Sequence, residues 1–148
     1  MKIKRHDTNF FDFFASLRLI KKQLKLNNMN IKELRIGNLL LDHLGRILKV
    51  AGIKDDYIYC ELSNGEKLKY NIKTFKPIKL TEEFLLKFGF DVVYGWDDYR
   101  GFIKDEVEIE CDYNYKEFTN FINKKIKYIH QIQNLYFSLT GNELTLNN

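Results

Sequence analysis

The side chains that most often perform catalysis are few in this chain and lie far apart in its sequence. The histidines are His6, His43 and His130, and the cysteines are Cys60 and Cys111. None of the histidines stands in a recognisable nucleophile motif, and two distant cysteines with scattered histidines do not form a zinc-binding cluster. His130 lies at the start of a predicted helix, where a capping or core-edge hydrogen bond is its expected role. The sequence therefore predicts a protein that is not an enzyme and uses no cofactor.

Acidic side chains in the second half of the chain are the other candidates for chemistry. Asp97, Asp98, Asp105 and Glu106 could together offer oxygen ligands to a divalent ion. Their spacing matches no known metal-binding loop, so two separate solvated turns are the simpler interpretation. No glycine-rich phosphate-binding loop follows a predicted strand. We therefore expect no metal site, and we expect the protein to act through its surface.

The amino-acid composition of the chain is typical of a folded domain. The chain has 148 residues, of which 45% are hydrophobic and 30% charged, enough for one packed domain or a small domain with an appendage. Cys60 and Cys111 alternate with polar neighbours on predicted strands, which favours buried free thiols over a disulfide. No apolar run is long enough to span a membrane, and the basic N-terminus lacks a signal-peptide cleavage site. We expect a cytoplasmic protein with no membrane partner.

Charge is distributed unevenly along the sequence. Residues 1–29 carry a net charge of +5, residues 30–90 of +3, residues 91–115 of −6 and residues 116–148 of +2, against +4 for the whole chain. The chain is therefore a mildly basic body with a basic N-terminal arm and one acidic block.

Residues 1–28 are predicted to form a separate amphipathic, basic helix. Thr8 could cap it, and phenylalanines supply an apolar stripe. Its last turns carry four cations, which suit the helix dipole: Arg18, Lys21, Lys22 and Lys25. Such a helix could dock on the domain or bind a partner protein or RNA. A natural start at Met29, with residues 1–28 misassigned, is the third possibility.

Residues 29–148 are predicted to form a single α+β domain. Its first part, residues 30–80, contains four or five short strands joined by turns, with Asn64-Gly65 as a clear hairpin signal. Pro77 ends the last of these strands. Strands in this order, with no helix between them, predict a small SH3-like β-barrel or a strongly bent antiparallel sheet.

A row of lysines is predicted to extend from the outward face of the last strand of this part. The row consists of Lys67, Lys69, Lys73, Lys76 and Lys79. These cations could contact phosphates, and Tyr57 and Tyr59 could stack on bases. A solvated sheet face without function is the alternative interpretation.

The second part of the domain, residues 81–148, is predicted to contain a connecting helix, a second small antiparallel sheet and a C-terminal helix. Thr81 caps the connecting helix and Gly89 ends it. The C-terminal helix has an apolar stripe at helical spacing and stops at Gly141. The stripe consists of Ile132, Leu135, Tyr136 and Leu139. Its other face, from His130 to Ser138, is polar and almost uncharged.

The strand predicted over residues 105–113 alternates strictly between apolar and acidic side chains. Its outward residues are Glu106, Glu108, Glu110 and Asp112. With Asp97 and Asp98 they form a predicted partner-binding acidic face, for which a solvated sheet face is the alternative. Outward Lys125 and Lys127 could lie beside the row and offset its self-repulsion. Alternate side chains on a strand recur about every 6.5–7 Å, close to the spacing of phosphates in a nucleic acid.

Three phrases of the sequence resemble a family of short proteins from phages and prophages of the Bacteroidetes. The phrases are ELRIGN (Glu33–Asn38), IKLTEEFLLKFGF (Ile78–Phe90) and IKYIHQIQNLYFSLTGNEL (Ile126–Leu144). The similarity covers about residues 30–146, and the family has no assigned activity that it could imply here. Its members usually begin just before ELRIGN, so residues 1–28 are an addition, and the acidic strand falls in the variable middle.

Three functions remain open at this point. The resemblance and the opposite-sign charge patches favour a non-enzymatic phage or mobile-element protein that inhibits host defence. An anti-CRISPR protein that engages an RNA-guided nuclease, or its guide RNA, is the sharpest form of this hypothesis. The alternative is a small nucleic-acid-binding module that uses the lysine row. A structural or assembly protein of the virion is the third option.

Overall fold

The computed structural model describes residues 29–62, 64–94, 99–112 and 117–147. Within these ranges the chain has an α+β fold with two antiparallel sheets, of four and five strands, and two α-helices. The expected fold class is therefore confirmed. The amphipathic helix predicted for residues 1–28 lies outside the described residues.

The first sheet is a meander of four strands joined by short turns. The strands are β1 (Leu39–Leu41), β2 (Ile47–Lys54), β3 (Tyr57–Glu61) and β4 (Lys67–Asn71), hydrogen-bonded in that order. Their alternation places Ile58 and Cys60 of β3 in the core, where both are fully buried. A β-bulge between Val50 and Gly52 shifts the register of β2 and bends it. The short strands joined by turns that the sequence predicts for residues 30–80 are confirmed. The last of them ends at Asn71, so Lys73 lies in the following 3-10 turn and not on the outward face of the strand.

The first sheet does not close into a barrel within the described ranges. After β4, the 3-10 turn Ile72–Thr74 leads the chain back toward β1, where Leu41 and Lys76 form an isolated bridge. Pro77 follows at once and has no N–H group with which to extend the pairing. The SH3-like barrel was therefore a wrong expectation, and the chain forms the alternative, a bent open sheet.

The connecting helix and the second sheet occupy the positions predicted for them. Helix α1 (Glu82–Lys87) is capped by Thr81, whose Oγ1 accepts a hydrogen bond of 3.4 Å from the backbone nitrogen of Phe84. The second sheet contains β5 (Asp91–Tyr94), β6 (Tyr99–Lys104), β7 (Val107–Asp112), β8 (Glu117–Asn120) and β9 (Lys125–Ile126), hydrogen-bonded in that order.

The acidic strand begins later than its alternation predicted. Lys104 and Val107 are paired across β6 and β7, so Asp105 and Glu106 form the two-residue turn between them. Asp105 has a φ of 51°, a left-handed conformation that tight hairpins need and that Asp tolerates. Glu106 therefore lies in the turn at the end of the strand and is not part of its outward row.

Helix α2 (Ile129–Thr140) packs against the inner face of the second sheet. Ile132 and Tyr136 join the larger hydrophobic cluster together with Phe102 of β6. The helix ends at Gly141, whose N–H donates to the carbonyl of Phe137 at 2.8 Å. The predicted C-terminal helix and its end at Gly141 are confirmed. Its apolar side chains pack into the core that covers the inner face of the second sheet.

The polar face predicted for α2 is partly buried, contrary to expectation. Leu139, expected in the apolar stripe, is 41% exposed, whereas His130 and Gln133 are each 1% exposed. The reason is a polar joint between α2 and the first sheet. Gln133 accepts a hydrogen bond from the N–H of Leu39 at 2.9 Å and donates to the carbonyls of Gly37 and Leu144 at 3.3 Å. The first sheet therefore binds the face of α2 that its sequence marks as polar.

Candidate functional site

The two faces of the second sheet differ in composition. Directly opposed residues of antiparallel strands point to the same face, so the register assigns each side chain to one face. The inner face contributes Phe102, Val107 and Ile109 to the core. Among the described residues, the outer face, which we call the acidic face, carries five carboxylates: Asp91, Glu108, Glu110, Asp112 and Glu117.

The strand β7 places its acidic side chains in water. Glu108 and Glu110 are exposed and alternate with buried neighbours, while Glu106 is exposed in the adjoining turn. That turn is anchored from the inside, because the hydroxyl of Tyr136 donates a hydrogen bond to Asp105. Within the described ranges, no ion pair joins Glu106, Glu108 or Glu110 to a cation. These three carboxylates are exposed to solvent without a cationic partner among the described residues.

The cations expected beside this row lie elsewhere. Strand β8 separates β9 from β7, so Lys125 pairs with Thr119 and its ammonium lies 2.6 Å from the carboxylate of Glu117. Lys127 follows β9, and its backbone N–H donates to Gln131. The expectation that the two lysines flank the glutamate row was therefore wrong, because it placed β9 directly next to β7.

An apolar strip runs beside the carboxylates on the acidic face. Val93, Tyr99 and Ile103 are 48%, 52% and 38% exposed. Gly101 lies between them, paired with Val93 on one side and with Glu110 on the other. A glycine in mid-strand leaves a shallow depression that another backbone or side chain can approach closely. The face therefore combines an apolar strip on β5 and β6 with exposed carboxylates on the central strand β7.

The remaining members of the predicted acidic face are less informative. Asp112 is half-buried at the end of β7. Asp97 and Asp98 lie outside the described residues. The four cations assigned to the N-terminal helix lie outside them as well: Arg18, Lys21, Lys22 and Lys25.

The predicted lysine row is spread over several parts of the structure. Lys67 and Lys69 share one face of β4, and Lys73 lies in the 3-10 turn that follows. Lys76 pairs with β1, and Lys79 pairs with Tyr128 before α2. All five side chains are exposed.

Tyr57, predicted to stack on bases beside these lysines, has one face of its ring covered by Lys69. The ammonium of Lys69 lies 4.0 Å from the ring centroid of Tyr57, a cation–π contact that covers one face of the ring. A base could therefore stack only on the other face of Tyr57.

His130 neither caps a helix nor makes a core-edge hydrogen bond. The side chain of His130 is 1% exposed, and its ring stacks on the ring of Tyr128 with 5.7 Å between the ring centroids. Neither ring nitrogen has a hydrogen-bond partner among the described residues. The side chain that caps the N-terminus of α2 is that of Gln131, whose Oε1 accepts a hydrogen bond of 3.2 Å from the N–H of Tyr128. Burial lowers the pKa of His130 below its usual value. The carboxylate of Glu33, whose Oε2 lies 3.7 Å from Nε2 of His130, raises this pKa, but by less than burial lowers it.

The two cysteines are buried free thiols, as predicted. Burial raises the pKa of Cys60 to about 11, and burial also raises the pKa of Cys111. Because a thiol reacts as its thiolate, both side chains are suited to packing and poorly suited to nucleophilic chemistry.

A cleft that no motif indicated lies at the β8–β9 end of the second sheet. It has a volume of about 580 Å³ and is bordered by Lys32 of the 3-10 turn Ile31–Glu33, by Lys124 and Lys125 of the β8–β9 hairpin, and by α2. We call it the lysine cleft. Lys32 is distant from the other two lysines in sequence, so only the tertiary fold brings the three together.

Among the described residues, no three His, Cys, Asp or Glu side chains are arranged to hold a metal ion. Neither helix in the described ranges combines the length and the apolar character needed to cross a membrane. Compared with protein-family models, with curated proteins and with solved structures, the chain gives no match.

Proposed function

We propose that this chain is a non-enzymatic binding protein that engages a basic partner through its acidic face. The observation that carries the proposal is the pair of exposed, unpaired carboxylates of Glu108 and Glu110 on this face, beside an exposed apolar strip. Glu106, in the adjoining turn, adds a third exposed carboxylate at the end of the strand. Like charges in a row repel one another, and a cationic partner removes that repulsion. Apolar contacts supply affinity in such interfaces, and charge supplies orientation and association rate.

A host protein that normally binds nucleic acid fits this face best. Such proteins present channels of Lys and Arg to phosphates, and carboxylates about 6.5–7 Å apart along a strand reproduce the spacing of those phosphates. The resemblance to phage and prophage proteins supports an inhibitor of host defence. We therefore favour an anti-CRISPR protein that acts in the host cytoplasm on an RNA-guided nuclease.

The proposal is tested by inhibition of target cleavage. RNA-guided nucleases of the Bacteroidetes, loaded with guide RNA, are assayed for DNA cleavage with increasing amounts of the full chain. We expect at least one of them to be inhibited. The variant Glu106→Gln/Glu108→Gln/Glu110→Gln should lose about ten-fold or more in potency, because several interfacial charge pairs are removed at once.

A matched control has the same charge change on the first sheet. The variant Asp55→Asn/Glu61→Gln/Glu66→Gln neutralises three exposed carboxylates there and should inhibit within about two-fold of the unmodified chain. Equal losses in the two variants, or no inhibition of any nuclease, would refute the assignment. A chain that begins at Met29, tested in parallel, measures what residues 1–28 contribute.

A further inference from the structure

The lysine cleft has the chemistry of an anion-binding site. Lys32, Lys124 and Lys125 line it, against one carboxylate, that of Glu33. Within the described ranges Lys32 and Lys124 form no ion pair, while Lys125 is paired with Glu117 at 2.6 Å. Two lysines without an ion-pair partner that line one concavity attract a ligand with several negative charges.

The wall formed by α2 adds hydrogen-bonding and apolar groups at regular spacing. Gln131, Asn134, Leu135 and Ser138 recur at helical intervals and all line the cleft. The amide oxygen of Gln131 is bound to the N–H groups of Lys127 and Tyr128. No described residue accepts a hydrogen bond from its amide nitrogen, which leaves that donor for a ligand.

The hairpin beside the cleft presents an aromatic side chain to solvent. Phe121 is 64% exposed and Ile122 is 63% exposed at the tip of the β8–β9 hairpin. The tip is held in shape by Asn120, whose side-chain oxygen accepts from the N–H groups of Ile122 and Lys124 at 3.3 and 2.9 Å. Phe121 lies between Asn120 and Ile122, which both line the cleft. An exposed ring on such a fixed hairpin is a stacking platform of the kind that single-stranded nucleic acids use.

The opposite wall is equally well fixed. The side chain of Asn134 donates to the carbonyl of Glu33 at 2.6 Å, and Asn30 accepts from the N–H of Lys32 at 3.0 Å. The 3-10 turn is therefore attached to α2. Since both walls are held by hydrogen bonds, little ordering is needed when a ligand enters.

We propose that the lysine cleft binds single-stranded nucleic acid, with the three lysines on phosphates and Phe121 stacked on a base. The volume of about 580 Å³ lies within the usual range of ligand sites. An acidic protein segment would satisfy the lysines but would leave the exposed phenylalanine without a planar partner. The cleft adjoins the acidic face through Lys125, which is paired with Glu117, but Lys32 and Lys124 do not belong to that face. The proposal does not depend on the function proposed for the acidic face.

The test is fluorescence anisotropy of the full chain with a labelled single-stranded RNA of roughly ten nucleotides. We expect Lys32→Gln/Lys124→Gln/Lys125→Gln to weaken binding by about ten-fold or more and to reduce the log–log salt slope by about 2. The matched control Lys67→Gln/Lys69→Gln/Lys73→Gln, with the same change on the first sheet, should stay within about three-fold. Phe121→Ser should weaken binding by about five-fold or more with an unchanged salt slope.

The remaining arms separate the alternatives. Glu106→Gln/Glu108→Gln/Glu110→Gln should retain RNA binding, so failure at the acidic face and failure at the cleft are distinguishable. Circular dichroism confirms that each variant is folded. Equal losses in the two lysine variants, no RNA binding at low salt, or lysine-dependent binding of a poly-glutamate peptide in place of RNA would overturn the proposal.

Discussion

Polar side chains are buried and hydrogen-bonded at the polar joint between α2 and the first sheet, whereas the glutamates of β7 on the acidic face are exposed. At the joint, Asn38 and Gln133 are buried and hydrogen-bonded to backbone or amide groups. On the acidic face, Glu108 and Glu110 point into water and pair with no described cation. Paired buried groups specify how two parts of a chain fit together, whereas exposed unpaired charges add little to folding. The joint therefore serves stability, and the acidic face is available for recognition.

The largest predicted effect breaks the joint. In Gln133→Ala, three backbone groups lose their partner at once: the part-buried N–H of Leu39 and the buried carbonyls of Gly37 and Leu144. We expect the free energy of unfolding to fall by about 2–4 kcal/mol, as measured by urea denaturation. The control Glu110→Gln, on the acidic face, should change it by less than about 0.5 kcal/mol. Comparable effects at the two sites would remove the distinction between the two regions.

His130 is the exception within the joint, because it is buried without a hydrogen bond. Burial lowers its pKa in the folded state, so the unfolded chain takes up the proton at higher pH. Stability should therefore decrease as the pH falls below about 6.5, the ordinary value for histidine, by at most about 1.4 kcal/mol per pH unit. The decrease ends once the pH is below the folded pKa.

The pH dependence is assigned by substitution. His130→Gln keeps a polar side chain of similar size and removes the titration, so the loss of stability between pH 7 and pH 5.5 should become clearly smaller. His43→Gln, at an exposed site, should leave that loss unchanged. The same pH dependence in all three chains would show that His130 does not cause it.

Local patterns in the sequence were sufficient to predict the elements. The alternation of β7 and the cap at Thr81 are encoded within a few neighbouring residues, and they were confirmed. The closure of the first sheet was not predictable in this way. It depends on whether the chain after Ile72–Thr74 extends its pairing with β1, and Pro77 limits that pairing to a bridge at Lys76.

The joint and the lysine cleft could not be predicted, because their members are remote in the sequence. Gln133 contacts Leu39, and Lys32 faces Lys124 across the cleft. Gln133 lies on the polar face of α2, where the sequence predicts a solvent-exposed side chain. Nothing in its neighbours indicates that a strand will form hydrogen bonds with it. The carboxylates of the acidic face were predictable, because strand alternation alone places Glu108 and Glu110 outward.

The smallest predicted effect compares two glycines, one at the end of α2 and one on the acidic face. Gly141 has a φ of 72°, and an added Cβ would meet no atom within 4 Å. Gly141→Ala should therefore cost about 1 kcal/mol from backbone conformation alone.

At Gly101 the φ is not positive, and an added Cβ would lie 3.6 Å from Val93, an ordinary contact. Gly101→Ala should leave the free energy of unfolding unchanged or raise it by about 0.5 kcal/mol, since alanine loses less backbone freedom on folding. It should still weaken nuclease inhibition, because the methyl group fills the depression between Val93 and Glu110. Unfolding curves and inhibition assays on both variants test the contrast: stability lost at Gly141 with inhibition kept, and inhibition lost at Gly101 with stability kept. If Gly101→Ala inhibits as well as the unmodified chain does, the apolar strip of the acidic face is not the part that the partner contacts.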